Sequence, residues 1–212
     1  MKTLRICAAM LIGLSLTACG SVETATRNTP LDLPMAAAAP SQVTVNRVQV
    51  NVPRSLRASE ANRYFPSGDI VWRGDPRGDR HAQVQAIFED AMTRGVTGLS
   101  GTKAVDLDIE VMRFHALTEK ARYTVGGVHA LTFQMTLRDP ATGAALSEPR
   151  VIKANLKGFG GSEAIEAEAR GETQKVRITR HLANVIRTEI TNPGGYKQAE
   201  LGLMGMIDKI GS

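Results

Sequence analysis

Acidic residues at alternate positions, Asp106, Asp108 and Glu110, are the first in this chain whose types and spacing could do chemistry. In an extended strand, residues i, i+2 and i+4 share one face. Three carboxylates in such a row could hold a cation or, in pairs, exchange protons with a substrate. The commoner role of the same pattern is a solvated sheet face. The four histidines, His81, His115, His129 and His181, are scattered, with no metal-ligand spacing such as His-x-x-x-His. His129 falls in phase with Leu131 and Phe133, which predicts a semi-buried structural ring. Lys157 to Ala164, KGFGGSEA, is a glycine-rich turn opening a helix. Such a turn can offer N–H groups to an anion. It lacks the Gly-Lys-Ser/Thr ending of a phosphate loop and is read as a strand-to-helix turn. No Gly-x-Ser-x-Gly elbow is present, and Ser100 in GLSGT has no recognisable base nearby. The residues therefore nominate no catalytic set, no metal site and no cofactor site, and the expectation is a non-enzymatic protein.

Two further groups suit recognition. Trp72 and the pair Tyr64-Phe65 are large aromatics, a type enriched at interface hot spots, although core packing is their commoner use. Arg47, Arg54, Arg57, Arg63, Arg73, Arg77 and Arg80 crowd one region. On a single face they could meet anionic headgroups or an acidic partner. Dispersed, they make an ordinary basic surface.

The elements that position these residues follow from periodicity. VTVNRVQVNV, from Val43, alternates apolar and polar residues, but the phase slips at Asn46-Arg47, which predicts a strand with a bulge. Pro53 ends it. A loop with a Pro66-Ser67-Gly68 turn leads to a short strand, DIVWRGD. Asp75-Pro76 is a helix-entry signal and Asp79 a second candidate N-cap. Val84, Ile87, Phe88, Ala91 and Met92 then form one helical face, with Gly95 and Gly98 as the stop. AVDLDIEVMRF, from Ala104, is a strand with Val105, Leu107, Ile109 and Val111 on the face opposite the carboxylates. GGVHALTFQMTLRD is another, with Leu131, Phe133, Met135 and Leu137 in phase. Asp139 to Gly143 is a hairpin turn, in which Pro140 presets φ and glycine supplies a positive φ. The next strand spans about Ala145 to Phe159, with Pro149 marking an edge or kink. The segment from Gly160 to Ile190 reads as helix, capped by Ser162 and broken at Gly171, with Ile178, Leu182, Val185 and Ile186 on one face. The fold class is α+β: an antiparallel or mixed sheet of about four to five strands packed by two main helices, with one sheet face covered and the other wetter.

The amino terminus has a separate grammar. Lys2 and Arg5 precede an apolar run, Ile6 to Leu16, shorter than the roughly 20 residues a membrane-spanning helix needs. A cleaved export signal fits instead. Leu16-Thr17-Ala18-Cys19 resembles the lipobox of bacterial lipoproteins: Leu at −3, small residues at −2 and −1, then cysteine. Small side chains admit a peptidase, and the Cys19 thiol is the nucleophile for a diacylglycerol. Each buried acyl CH₂ contributes about 0.8 kcal/mol to attachment. The expected organisation is a signal peptide over 1–18, a lipidated terminus and flexible tether over 19–41, an α+β domain over 42–192 and a tail over 193–212. Cleavage removes Lys2, Arg5 and Cys7 and lowers the net charge of +5 by two. One cysteine then remains, so no intramolecular disulfide can form. A mild positive charge with few aromatics argues against a nucleic-acid surface.

The early V-x-V-x-V-P strand (Val48, Val50, Val52, Pro53), then Trp72 and Pro76 and the strand from Val105 to Val111, resembles small proteobacterial envelope lipoproteins and, loosely, auxiliary lipoproteins of ABC-type lipid transport systems. SEANRYFPSGDIVWRGDP and GGSEAIEAEARGETQKVRI are more similar to an uncharacterised alphaproteobacterial lipoprotein family, which brings no assigned activity. The transport resemblance implies a partner-binding role. Gly20 after the cysteine, where retention in the inner membrane uses Asp, implies an outer-membrane lipoprotein facing the periplasm. The expected partners are the membrane, through Cys19, and an envelope protein. A periplasmic lipid or small-ligand carrier is the alternative, and a membrane-associated hydrolase ranks below it.

Overall fold

The computed structural model describes residues 42–198. The expected signal peptide, the tether with Cys19 and the end of the tail beyond residue 198 lie outside the described residues. In chain order the elements are β1 (Val43–Asn51), β2 (Ile70–Val71), α1 (Arg80–Val96), β3 (Lys103–His115), α2 (Glu119–Arg122), β4 (Gly127–Arg138), β5 (Arg150–Lys153), β6 (Leu156–Gly158), α3 (Ser162–Ala169) and α4 (Gln174–Thr191). The class is α+β, and the sheet is mixed.

β1 lies parallel beside β3, with α1 in the connection, the arrangement a crossover helix permits. β3, β4 and β5 then continue antiparallel, giving the order β1-β3-β4-β5. Six strands are present rather than four to five, because short β2 pairs with the end of β3 and β6 with the start of β4. The phase slip at Asn46 is a bulge: Val45 faces Val105 and Arg47 faces Asp106. The expected strand from Ala145 to Phe159 is interrupted. β5 and β6 flank Ala154-Asn155, where the Asn155 side-chain oxygen, in place of a backbone carbonyl, accepts from the Leu131 N–H at 3.0 Å. The hairpin turn forms as expected, with the Gly143 N–H donating to the Asp139 carbonyl and a positive φ at Gly143.

α1 starts at Asp79, not Asp75: the Asp79 carboxylate accepts from the backbone N–H groups of His81 and Ala82. Gly95 is no stop signal. It sits inside α1, where a Cβ would run into Ile186 and the Ala183 carbonyl of α4, so its missing side chain lets the two helices close. The expected apolar faces of α1 and α4 are buried throughout. They meet the inward residues of β3 and β4 in a single core. Trp72, Phe114, Phe88 and Phe133 form a chain of edge-to-face rings through it, with centroids 5.6, 6.1 and 5.6 Å apart. Such pairs contribute about 0.5–1.5 kcal/mol each beyond area burial. No helix among the described residues is long and apolar enough to cross a membrane.

Candidate functional site

The carboxylate row is an ion-paired sheet face. Arg47 on β1 donates to Asp106 at 2.7 Å, and Arg138 on β4 donates to Asp108 at 2.7 Å, leaving Glu110 exposed. Among the described residues, no group of three or more His, Cys, Asp and Glu could hold a metal ion. Most of the arginine run is similarly divided among local acids. Arg54 pairs with Asp79, Arg57 with Asp69, Arg73 with Glu60 and Glu119, and Arg80 with Glu60. Arg80 is itself buried. The aromatics separate in role. Trp72 is in the core, its indole N–H donating to Asp75 at 2.8 Å, whereas Phe65 is 77% exposed and Tyr64 is half-exposed with the Lys120 ammonium over its ring.

Each histidine uses one ring nitrogen on a backbone group. Nε2 pairs with the Leu56 carbonyl for His81, the Pro66 carbonyl for His115 and the Ala154 carbonyl for His181. Burial lowers the pKa of His181 to about 4. In His129, Nδ1 accepts from the Leu117 N–H at 3.3 Å, which leaves the proton of the neutral ring on Nε2. That proton has no acceptor among the described residues. The expectation of a structural histidine therefore holds for one side of the ring only. His129 is 1% exposed, and burial first, then the charges of Arg177 and Arg122, lower its pKa to about 3.

His129 lines a cleft between α2, α3 and the start of α4, with its Nε2 beside the bare Cα of Gly158. The local sequence builds this cleft by close approach. The turn at Gly160-Gly161 crosses the loop at Val125-Gly126, where a Cβ on Gly126 would stand 2.8 Å from the Gly158 carbonyl and 2.9 Å from the Gly160 nitrogen. KGFGGSEA is thus a backbone crossing. The Gly161 N–H is already bonded to the Arg122 carbonyl at 3.0 Å. This tight entry also displaces the expected cap: Gly161 with φ +57° is the N-cap of α3, and the Ser162 side chain makes no capping bond. α3 then packs Ala164 and Ala167 into the cleft.

α2 and α4 supply the polar wall. Thr118 caps α2, accepting from the Ala121 N–H, and Thr173 caps α4, accepting from the Val176 N–H. These caps set Arg122 and Gln174 at the cleft. Arg122 pairs with Glu168 at 3.2 Å, and the Tyr123 hydroxyl donates to the same carboxylate at 3.0 Å. The Arg177 guanidinium carbon lies over the Phe159 ring, 3.3 Å from its centroid, and the side chain donates to the Lys157 carbonyl. Glu172 also lines the cleft and is paired with Arg180. Gln174 is 5% exposed, and neither end of its amide has a partner among the described residues; Arg122 Nε is likewise buried and unpartnered. A buried polar group left unpaired costs about 1–3 kcal/mol. Several in one cleft mark a place where something else completes the hydrogen bonding. The cleft opens to solvent and has room for about one water molecule. That suits the polar end of a small group, and is too little for an acyl chain. Periodicity exposed His129 alone; Arg122, Gln174 and Arg177 lie on other elements and carry no shared local signal.

No curated protein matches the chain. Among solved structures, a protein of family DUF330 from Xanthomonas campestris is 11% identical, with a TM-score of 0.43, over 82% of this chain and 92% of that one. A candidate lipoprotein from Caulobacter crescentus CB15 is 13% identical, with a TM-score of 0.33, over 53% of this chain and 84% of its own. A PelC variant from Paraburkholderia phytofirmans, a dodecamer, is 15% identical, with a TM-score of 0.34, over 74% and 95%. Residues 43–206, nearly the whole described fold, match a family of unknown function, DUF6778, and the chain belongs to that family.

Proposed function

We propose that the protein is a lipoprotein of the cell envelope, held at the outer membrane through an acylated Cys19, and that it acts by binding an envelope protein rather than by catalysis. The observation that carries this reading is Leu16-Thr17-Ala18-Cys19 at the end of a short apolar run behind Lys2 and Arg5. Position, charge and run length all suit a lipoprotein signal. Two acyl chains make attachment stable where one makes it marginal.

The non-catalytic part is supported by the histidines, each bonded through a ring nitrogen to a backbone group, and by the pairing of Asp106 and Asp108 with arginines. Partner binding is supported by Phe65, a large apolar side chain that the fold leaves in solvent beside Tyr64 and Lys120.

The deciding experiment is the mass of the N-terminal peptide from membrane-extracted protein, beside a Cys19→Ala variant. A peptide beginning at diacylated Cys19, with the variant released from the membrane fraction, is the expected result. A terminus elsewhere, or one without lipid, refutes the anchor. A photo-crosslinking residue at position 65 then reports the partner. Recovery of one envelope protein, lost in competition with unlabelled protein, is expected; a consistently uncrosslinked monomer refutes partner binding.

A further inference from the structure

The hydrogen-bond inventory of the cleft is lopsided. His129 Nε2–H, Arg122 Nε–H and the Gln174 amide N–H groups are donors, and the Gln174 amide oxygen is the single acceptor among the unpartnered atoms. The two carboxylates on the wall are occupied, Glu168 by Arg122 and Tyr123, and Glu172 by Arg180. Two guanidinium groups, of Arg122 and Arg177, stand on the same wall. A site that offers donors beside positive charge, with little acceptor capacity of its own, selects an anion that accepts several hydrogen bonds. Size narrows the choice. The open cleft has room for about one water, so the planar end of a carboxylate asks for less widening than a tetrahedral phosphate or sulfate. Phe159, Ala164 and Ala167 give the cleft an apolar lining for the carbon attached to it.

We propose that this cleft binds one carboxylate group, which accepts from His129 Nε2–H, Arg122 Nε–H and the Gln174 amide and rests its carbon against Phe159 and the alanines of α3. His129 and Gln174 are binding residues here: they hold a proton and an amide fixed where the carboxylate oxygens arrive. The carboxylate can come from a free small acid or from an acidic side chain of a polypeptide. The site is independent of the lipid anchor and stands or falls separately from it.

The test is a ¹H–¹⁵N titration of the full chain, extracted in detergent, with sodium acetate against sodium chloride at equal ionic strength. Acetate is expected to shift the His129 Nε2–H and Gln174 side-chain resonances saturably, with chloride leaving them in place. Magnetisation transfer from the acetate methyl to Phe159 and the Ala164 and Ala167 methyls locates the ligand in the wild-type protein. Gln174→Leu, which removes the amide and buries no new polar atom, is expected to weaken acetate at least tenfold. N-acetylglutamate α-amide then separates the sources: binding by both probes supports a polypeptide side chain, and binding by acetate alone supports a free small acid. Shifts that do not saturate, shifts equal in chloride, or unchanged acetate binding in a folded Gln174→Leu protein overturn the proposal and leave the cleft to water.

Discussion

One face of β4 runs from a dry end to a polar end. Met135, Phe133 and Leu131 are fully buried beneath the two long helices, and Phe133 meets Phe88 edge to face. His129 continues the same alternation and is just as buried, yet its neighbours are Arg122, Gln174 and Arg177. At the dry end every buried group is satisfied by packing. At the polar end burial leaves N–H groups unpaired. Burial alone therefore does not separate a structural position from a binding one. What separates them is whether the buried atoms are finished.

The largest effect that would break this contrast is at the dry end. Phe114→Ala removes the ring that Trp72 and Phe88 both contact, and should cost about 3–5 kcal/mol, read from urea denaturation. A loss below about 1 kcal/mol would mean the core is looser than its burial implies.

The polar end should show itself in pH. His129 titrates near 6.5 when unfolded and near 3 when folded, so between those values the unfolded chain binds the extra proton. Its stabilising contribution is full above pH 6.5 and is lost as pH falls towards 3. His181, lowered to about 4, acts in the same direction. Each histidine approaches about 1.4 kcal/mol per pH unit within its window. Urea midpoints between about pH 4 and 6 should therefore fall on acidification, and His129→Gln should remove about half of the slope. An unchanged slope in that variant would place the titration elsewhere.

The rim of the cleft should matter least. Glu168→Gln uncouples Arg122 and Tyr123 at a partly exposed pair. Such pairs contribute up to about 1 kcal/mol, and salt screens them. Thermal melts should show a small loss that disappears at high salt. A larger, salt-independent loss would make Glu168 part of the buried site.

The sheet and its covering helices were legible in the residues because period-2 and period-3.6 patterns are local records of burial. Val105 to Val111 and Val84 to Met92 announced their inward faces. The bulge at Asn46 and the turn at Asp139 to Gly143 were equally visible. Short α2 leaves no periodic signal because it is one turn long, and the break at Ala154-Asn155 leaves none because it depends on a side chain bonding to β4. Gly95 carries no local mark of its packing role because the reason for it, Ala183 and Ile186, lies on another helix.

By itself the sequence determined the α+β class and the alternation that buries His129, both properties of residues near one another in the chain. Tertiary structure alone decided which arginine neutralises which carboxylate, how the crossing at Gly126 and Gly160 opens a cleft, and that Arg122, His129 and Gln174 meet there with hydrogen bonds to spare. Those outcomes depend on pairings between distant segments. Pairing is set when β4, β6 and three helices pack together, and no local period records it.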